Sequence, residues 1–314
     1  MKKIRIITTG LHFPEGPIAM PDGSVILVEI ARGTLTRVLS DGRTEIITKT
    51  GGGPNGAAIG PDGACYICNN GGFEWEQDSL SGRIRPIRQA DDYDTGRIER
   101  VDLATGSVER LYDRCGNHKL NGPNDLVFDQ KGNMWFTDLG KSRSRDMDRG
   151  AVYWARPDGR EIKEVIQPIT TPNGIGLSPD EKTLYVAETE GARLYDFSII
   201  GDGIVEKLPF PQSLNGGRLV TCDGGLRRFD SLAVEANGNI CVATLMTGGI
   251  TIARPSGGTT DFLETDDPYT TNICFGGEGL RTAFLTLSWQ GQLVACDWPR
   301  SGLPLNFLNT AHQM

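Results

Sequence analysis

A chain of 314 residues, 38% of them hydrophobic, can bury a large core, and its 40 acidic against 32 basic side chains leave a formal charge of -8. That balance argues against a nucleic-acid partner, because phosphate binding needs clustered Lys and Arg to release counterions. No apolar run approaches the roughly 20 residues of a membrane span or the roughly 7 to 15 of a signal peptide, so a soluble, cytoplasmic protein with no membrane partner is expected.

In chain order, the first strand-like run is IRIITTGL, before any turn signal. One pattern then recurs six times: FPEGPIAMPDGSVILVE from Phe13, PNGAAIGPDGACYICN from Pro54, PNDLVFDQKGNMWFTD from Pro123, PNGIGLSPDEKTLYVAE from Pro172, FDSLAVEANGNICVAT from Phe229 and TNICFGGEGLRTAFLT from Thr271. Each copy is two short apolar runs joined by a turn sequence, which reads as a β-hairpin. Further strand-like runs follow, such as Gly33 to Leu39 with Thr44 to Thr48 and Gly96 to Asp102 with Val108 to Tyr112, giving about four strands per unit. The opening polar residues are Glu15, Asn55, Asn124, Asn173, Asp230 and Asn272, at intervals of 40, 69, 49, 57 and 42. No capped helical pattern interrupts them. The expectation is one all-β domain over residues 1–314, a six-bladed β-propeller around a central channel, with the N-terminal run closing the last blade and the segment after Trp298 as a tail.

The segment Asn70 to Thr95 exceeds a simple turn and carries Phe73, Trp75 and Tyr93, so it reads as a loop acting as a lid or a surface excursion. The basic stretch Lys141 to Arg149, interrupted by Asp146 and Asp148, reads as a solvated loop. Most of the seven cysteines fall in strands, and Cys65 and Cys68 point to opposite faces of theirs. His12 is near enough to Glu15 to line the channel mouth; His118 and His312 lie elsewhere, and no GxSxG elbow is present.

Six units around an axis bring the six opening side chains toward one point, a ring of oxygens suited to a hard divalent cation. Turn chemistry accounts for Asn55 and Asn272 taken alone, but poorly for Glu15 in FPEGP. A second polar residue ends each hairpin (Glu29, Asn69, Asp138, Glu188, Thr244 and Thr286) at the same end of the blade, so two polar shells are expected at one mouth.

At FPEGP, GPNDLVFDQKGNMWFTD, TPNGIGLSPDEKTLYVAE and FDSLAV the chain resembles the SMP-30/gluconolactonase/LRE-like family along nearly its whole length. The resemblance implies a six-bladed propeller holding one divalent metal through Glu15, Asn173 and Asp230, with Asn124 touching metal-bound water or substrate. Gly122 stands where animal members carry a substrate-contacting Arg, so their substrate recognition does not transfer. Ca²⁺ is the expected ion, with Mg²⁺, Mn²⁺ or Zn²⁺ as alternatives. The implied activity is metal-dependent opening of a lactone ring, a sugar (aldono) lactone such as gluconolactone first, with Asp230 as the base that activates water. Asn55, Asn69, Asp138, Asn124, Phe73 and Trp75 are the expected substrate contacts. The alternatives are hydrolysis of non-sugar lactones, aryl esters or phosphotriesters, and a non-catalytic calcium-binding propeller.

Overall fold

In the computed structural model, which describes residues 4–310, the six repeats form six antiparallel sheets around an axis. The innermost strands are Pro14–Ala19, Pro54–Ile59, Pro123–Phe128, Pro172–Leu177, Arg228–Val234 and Thr270–Gly276, numbered here as blades 1 to 6. Apart from a 3₁₀ turn at Glu278–Leu280, the regular elements described are strands. No helix among the described residues is long and apolar enough to cross a membrane.

Period-two alternation explains why the blades stack. Successive side chains of a strand point to opposite faces, and here both faces are covered by neighbouring blades. Trp135 therefore packs toward blade 4 with Ile175 and Val186, while Phe136 packs toward blade 2 with Tyr66 and Ile98. Cys65 and Cys68 divide in the same way, one toward blade 1 and one toward blade 3. Six apolar clusters result among the described residues, one between each pair of neighbours.

Arg5–Thr8 pairs with Gln292–Asp297 as the outer strand of blade 6, closing the ring as expected. Blade 4 takes its outer strand from Arg218–Cys222, within a stretch the sequence did not mark as strand. Two further expectations are corrected. The Asn70–Thr95 segment is not a loop but a two-stranded hairpin, Phe73–Gln77 against Ile84–Gln89, because alternating charged residues pair across it, Glu76 with Arg85 and Glu74 with Arg88. The segment after Trp298 is not a free tail: Leu303 N donates to Val234 O, Asn306 Nδ2 donates to Phe128 O, and Leu303, Leu305 and Leu308 line the far end of the channel.

Candidate metal and active site

All six inner strands carry a register irregularity at their opening residues, for example between Glu15 and Ile18, Pro123 and Leu126, and Pro172 and Ile175. A bulge re-aims side chains, so these anchors leave the blade-to-blade alternation where they meet the channel. Close approach of neighbouring blades is built in at the next position. A Cβ on Gly56 would stand 2.6 Å from Asn124 O, and one on Gly174 would stand 2.6 Å from Asp230 O. Phe13 and Thr171, each two residues before an anchor, hold left-handed φ values of 58° and 43°, uncommon for such residues and frequent around working sites.

Glu15, Asn55, Asn124, Asn173, Asp230 and Asn272 are all buried. Glu15 Oε2 accepts from Gly16 N at 2.5 Å and from Asn272 Nδ2 at 2.7 Å, and Asn272 is itself held by Ile273 N. Asn272 is thus more than a turn former, since it fixes the Glu15 carboxylate across the seam between blades 6 and 1. Asn173 Nδ2 donates to Thr189 Oγ1 at 3.1 Å. The Oδ1 atoms of Asn173 and Asn124 are buried with no hydrogen-bond partner among the described residues. A buried acceptor left unpaired is costly, and two of them in one ring of anchors mark a place for a ligand.

The sequence reading missed a third acid. Asp125, the residue after anchor Asn124, is buried and interacts electrostatically with both Glu15 and Asp230. Its signal was present: the position after the anchor is Gly in blades 1, 2 and 4, so an acid there departs from the packing rule. Burial pushes the Asp125 carboxyl up to about 7. Burial, then the charge of Asp125, pushes Asp230 up to about 8, against the lowering effect of the Asn173 amide. Glu15 is raised well above the carboxylate range by burial, then by Asp230, with the Asn272 amide opposing. No Lys or Arg pairs with these three acids among the described residues. Among the described residues no three His, Cys, Asp or Glu side chains form a ligand cluster, and the oxygens available beside these acids are those of the amides. Carboxylate and amide oxygens without sulfur or imidazole suit a hard divalent ion.

Four members of the second polar shell hold backbone. Asp138 accepts from Asn121 N and Gly122 N, Asn69 from Gly53 N, Glu29 from His12 N and Glu188 from Thr170 N. Each therefore clamps the backbone entering an inner strand, and Asn69 also bonds Glu99 and Gly51. The oxygens of Asn69 and Asp138, two of the residues expected to contact substrate, are engaged in these backbone bonds. His12 is exposed and reaches Glu29 through its backbone, and His118 is exposed; His312 lies outside the described residues.

The hairpin brings Phe73 and Trp75 to the anchor end of the ring. Trp75 meets Phe13 edge-on at 5.1 Å between centroids, Phe73 lies 6.1 Å from Trp75, Phe13 lies 5.4 Å from Tyr269, and Tyr269 stacks on Trp289 at 6.2 Å. Five rings thus form a strip beside Glu15, of which the sequence named two. Below the anchors a cavity of about 500 Å³ follows the axis, reaching from Asp125 and Asn272 through Leu126, Ile175 and Ile273 to the C-terminal segment.

The family model described as SMP-30/gluconolactonase/LRE-like region matches residues 13–288, which include all six anchors. The chain belongs to this family. It is 26% identical over 311 residues to a gluconolactonase of Zymomonas mobilis, covering 91% of this chain and 79% of that protein. It is 30% identical over 256 residues to lactonase drp35 of Staphylococcus saprophyticus, covering 81% and 70%. Its fold matches that of regucalcin from Agrobacterium tumefaciens, a calcium-binding protein, with a TM-score of 0.75 at 17% identity over 100% of this chain and 98% of that one.

Proposed function

We propose that this family member is a metal-dependent lactonase, acting first on a sugar (aldono) lactone such as gluconolactone. The observation that carries the reading is a set of buried oxygens at the inner-strand openings with no Lys or Arg paired to its acids among the described residues: the carboxylates of Glu15, Asp230 and Asp125 and the orphaned Oδ1 atoms of Asn124 and Asn173. Relatives named gluconolactonase and lactonase over most of the chain support it, and the calcium-binding fold relative supports Ca²⁺, with Mg²⁺, Mn²⁺ and Zn²⁺ to be compared.

Glu15, Asn173 and Asp230 would hold the ion, with Asn124 adjacent. When bound, it supplies the positive charge that draws electrons from a lactone carbonyl. Asp230 takes a proton from water as the water oxygen bonds the carbonyl carbon. The ring C–O bond then breaks, the leaving oxygen regains the proton from Asp230, and the product is an open hydroxy acid. Burial and then the charge of Asp125 raise the proton affinity of Asp230, and the positive charge of a bound cation would keep it ionised and able to accept water's proton. Asn124 orients water or substrate, while Phe73 and Trp75 flank the bound ring and exclude solvent.

The five-ring strip favours a second reading of the same chemistry, in which the substrate is a lactone or aryl ester with an apolar flank. The test is acid release from gluconolactone, a benzo-fused lactone, an aryl acetate and a phosphotriester, before and after chelation and with each of the four metals restored. Metal-restored turnover of a lactone is expected. Ca²⁺ binding without turnover of any substrate would identify a non-catalytic binding propeller instead.

A further inference from the structure

Lys141 opens the basic stretch expected to be solvated, yet it is 2% exposed. Its Nζ donates to Gly72 O at 2.7 Å and to Asn70 O at 2.9 Å, stands 3.5 Å from Asn70 Oδ1, and lies 4.2 Å from the centroid of Phe73 and 5.2 Å from that of Tyr93. Every one of these partners belongs to the 70–95 insertion. Asn70 and Gly72 form its entry, Tyr93 its exit, and Phe73 starts its first strand. Burying an ammonium is costly unless hydrogen bonds and ring faces replace water, so a lysine in this position needs a reason beyond solubility. Two acids, Asp138 and Asp148, face it without a direct ion pair among the described residues. The Lys141 segment is itself fixed to blade 3: Lys141 N donates to Asp148 Oδ2, Asp148 N to Lys141 O, and Gly140 N to Asp138 Oδ1. A further strut joins the two, Gln89 N to Ser142 O at 2.9 Å, at the end of the hairpin's second strand.

We infer that Lys141 is a positioning residue that pins the insertion hairpin of blade 2 to blade 3 and so sets how Phe73 and Trp75 cover the mouth. It gathers entry, exit and first ring onto one ammonium, so the hairpin behaves as a rigid cover rather than a freely swinging arm. This rests on the reading that the hairpin covers a lactone site.

Lys141→Met removes both carbonyl contacts and the amino group over Phe73 while filling most of the volume. Expected in the metal-loaded full-length protein are a KM for gluconolactone raised at least fivefold, kcat within twofold of wild type, and trypsin cleavage after Arg83 and Arg88 accelerated at least tenfold. The second arm replaces residues 73–89 with a short Gly-Ser turn and asks whether Lys141→Met has any further effect in that background. None is expected, since the residue acts through the hairpin. An equal rise in KM without the hairpin, or an unchanged cleavage rate with it, would overturn the inference. Faster cleavage with unchanged KM would overturn the role in the site. If Lys141→Met fails to fold, Phe73→Leu, which removes the ring and spares the lysine, must raise KM and cleavage in the same direction by a smaller factor. Unchanged kinetics on replacing the hairpin alone would instead defeat the cover reading, leaving the cleavage result to judge the pin.

Discussion

Asn272→Ala is expected to weaken Ca²⁺ binding by about 10- to 100-fold while the ring stays folded. Glu15 Oε2 accepts two hydrogen bonds, 2.5 Å from Gly16 N and 2.7 Å from Asn272 Nδ2, and the substitution removes the second. A hydrogen bond to a charged group contributes about 1.5–3 kcal/mol, and about 1.4 kcal/mol is a factor of ten, so freeing the carboxylate costs about one to two orders of magnitude in affinity. Loss of outer contacts to metal ligands has the same scale in other proteins, about 10–100-fold. A separate cost falls on stability, because Ile273 N loses its acceptor at 2.7 Å, about 1–3 kcal/mol for a buried donor left unpaired. Calorimetric Ca²⁺ titration of chelator-treated protein, with urea unfolding in the absence of metal, separates the two. Asn69→Ala is the control: its side chain bonds loop backbone and Glu99, so it should cost stability and leave affinity within about threefold, a difference under about 1 kcal/mol. A folded Asn272→Ala protein with wild-type affinity would refute the view that Asn272 fixes a metal ligand.

Asp230→Asn should abolish turnover with the fold retained, because an amide keeps the shape and cannot take water's proton, whereas Glu15→Gln should chiefly weaken metal binding; paired kinetics and titrations check the split. Gly56→Val should destabilise by about 1–3 kcal/mol or more, since its Cβ would press on Asn124 and Asp125 backbone 2.6 Å away, and urea unfolding reads it. Burial holds the Lys141 ammonium down to about 7, so above that pH the native chain has lost a proton that the unfolded chain keeps until about 10.4. The unfolded state then binds more protons, and wild-type stability should rise relative to Lys141→Met by up to about 1.4 kcal/mol per pH unit across that window. Parallel slopes for the two proteins from pH 7 to 10 would contradict it.

The parts legible in the sequence are those written as periodicity. Anchors at blade spacing and apolar alternation located six inner strands, and the unpaired run before Phe13 marked the strand that closes blade 6. What stayed hidden depends on which backbone a side chain meets. Asn69 and Asp138 look like Asn55 and Asn124 in composition, and only the path of Gly51–Gly53 and Asn121–Gly122 past them turns their side chains into clamps. Lys141 sits among charges that are mostly exposed, and its burial follows from an insertion folding back over it, with Asn70 and Gly72 lying 71 and 69 residues earlier. Asp125 was obscured by its neighbour Asn124, because the irregular register lets two consecutive residues approach the axis where regular alternation would allow one.

The seam between the last blade and the first has a consequence for synthesis. Glu15 lies near the start of the chain, and the amide that orients it comes from Asn272, 257 residues later, while Ser288 Oγ adds a bond to Pro14 O at 2.6 Å. A ribosome therefore releases five blades before the first ligand of the candidate site acquires its partner, and the outer strand Arg5–Thr8 waits longer still for Gln292–Asp297. Contacts this distant along the chain form slowly, since loop closure precedes any gain from them. Ca²⁺ added to stalled nascent chains should consequently find no tight site until blade 6 has emerged, which would make cation capture a marker of finished assembly.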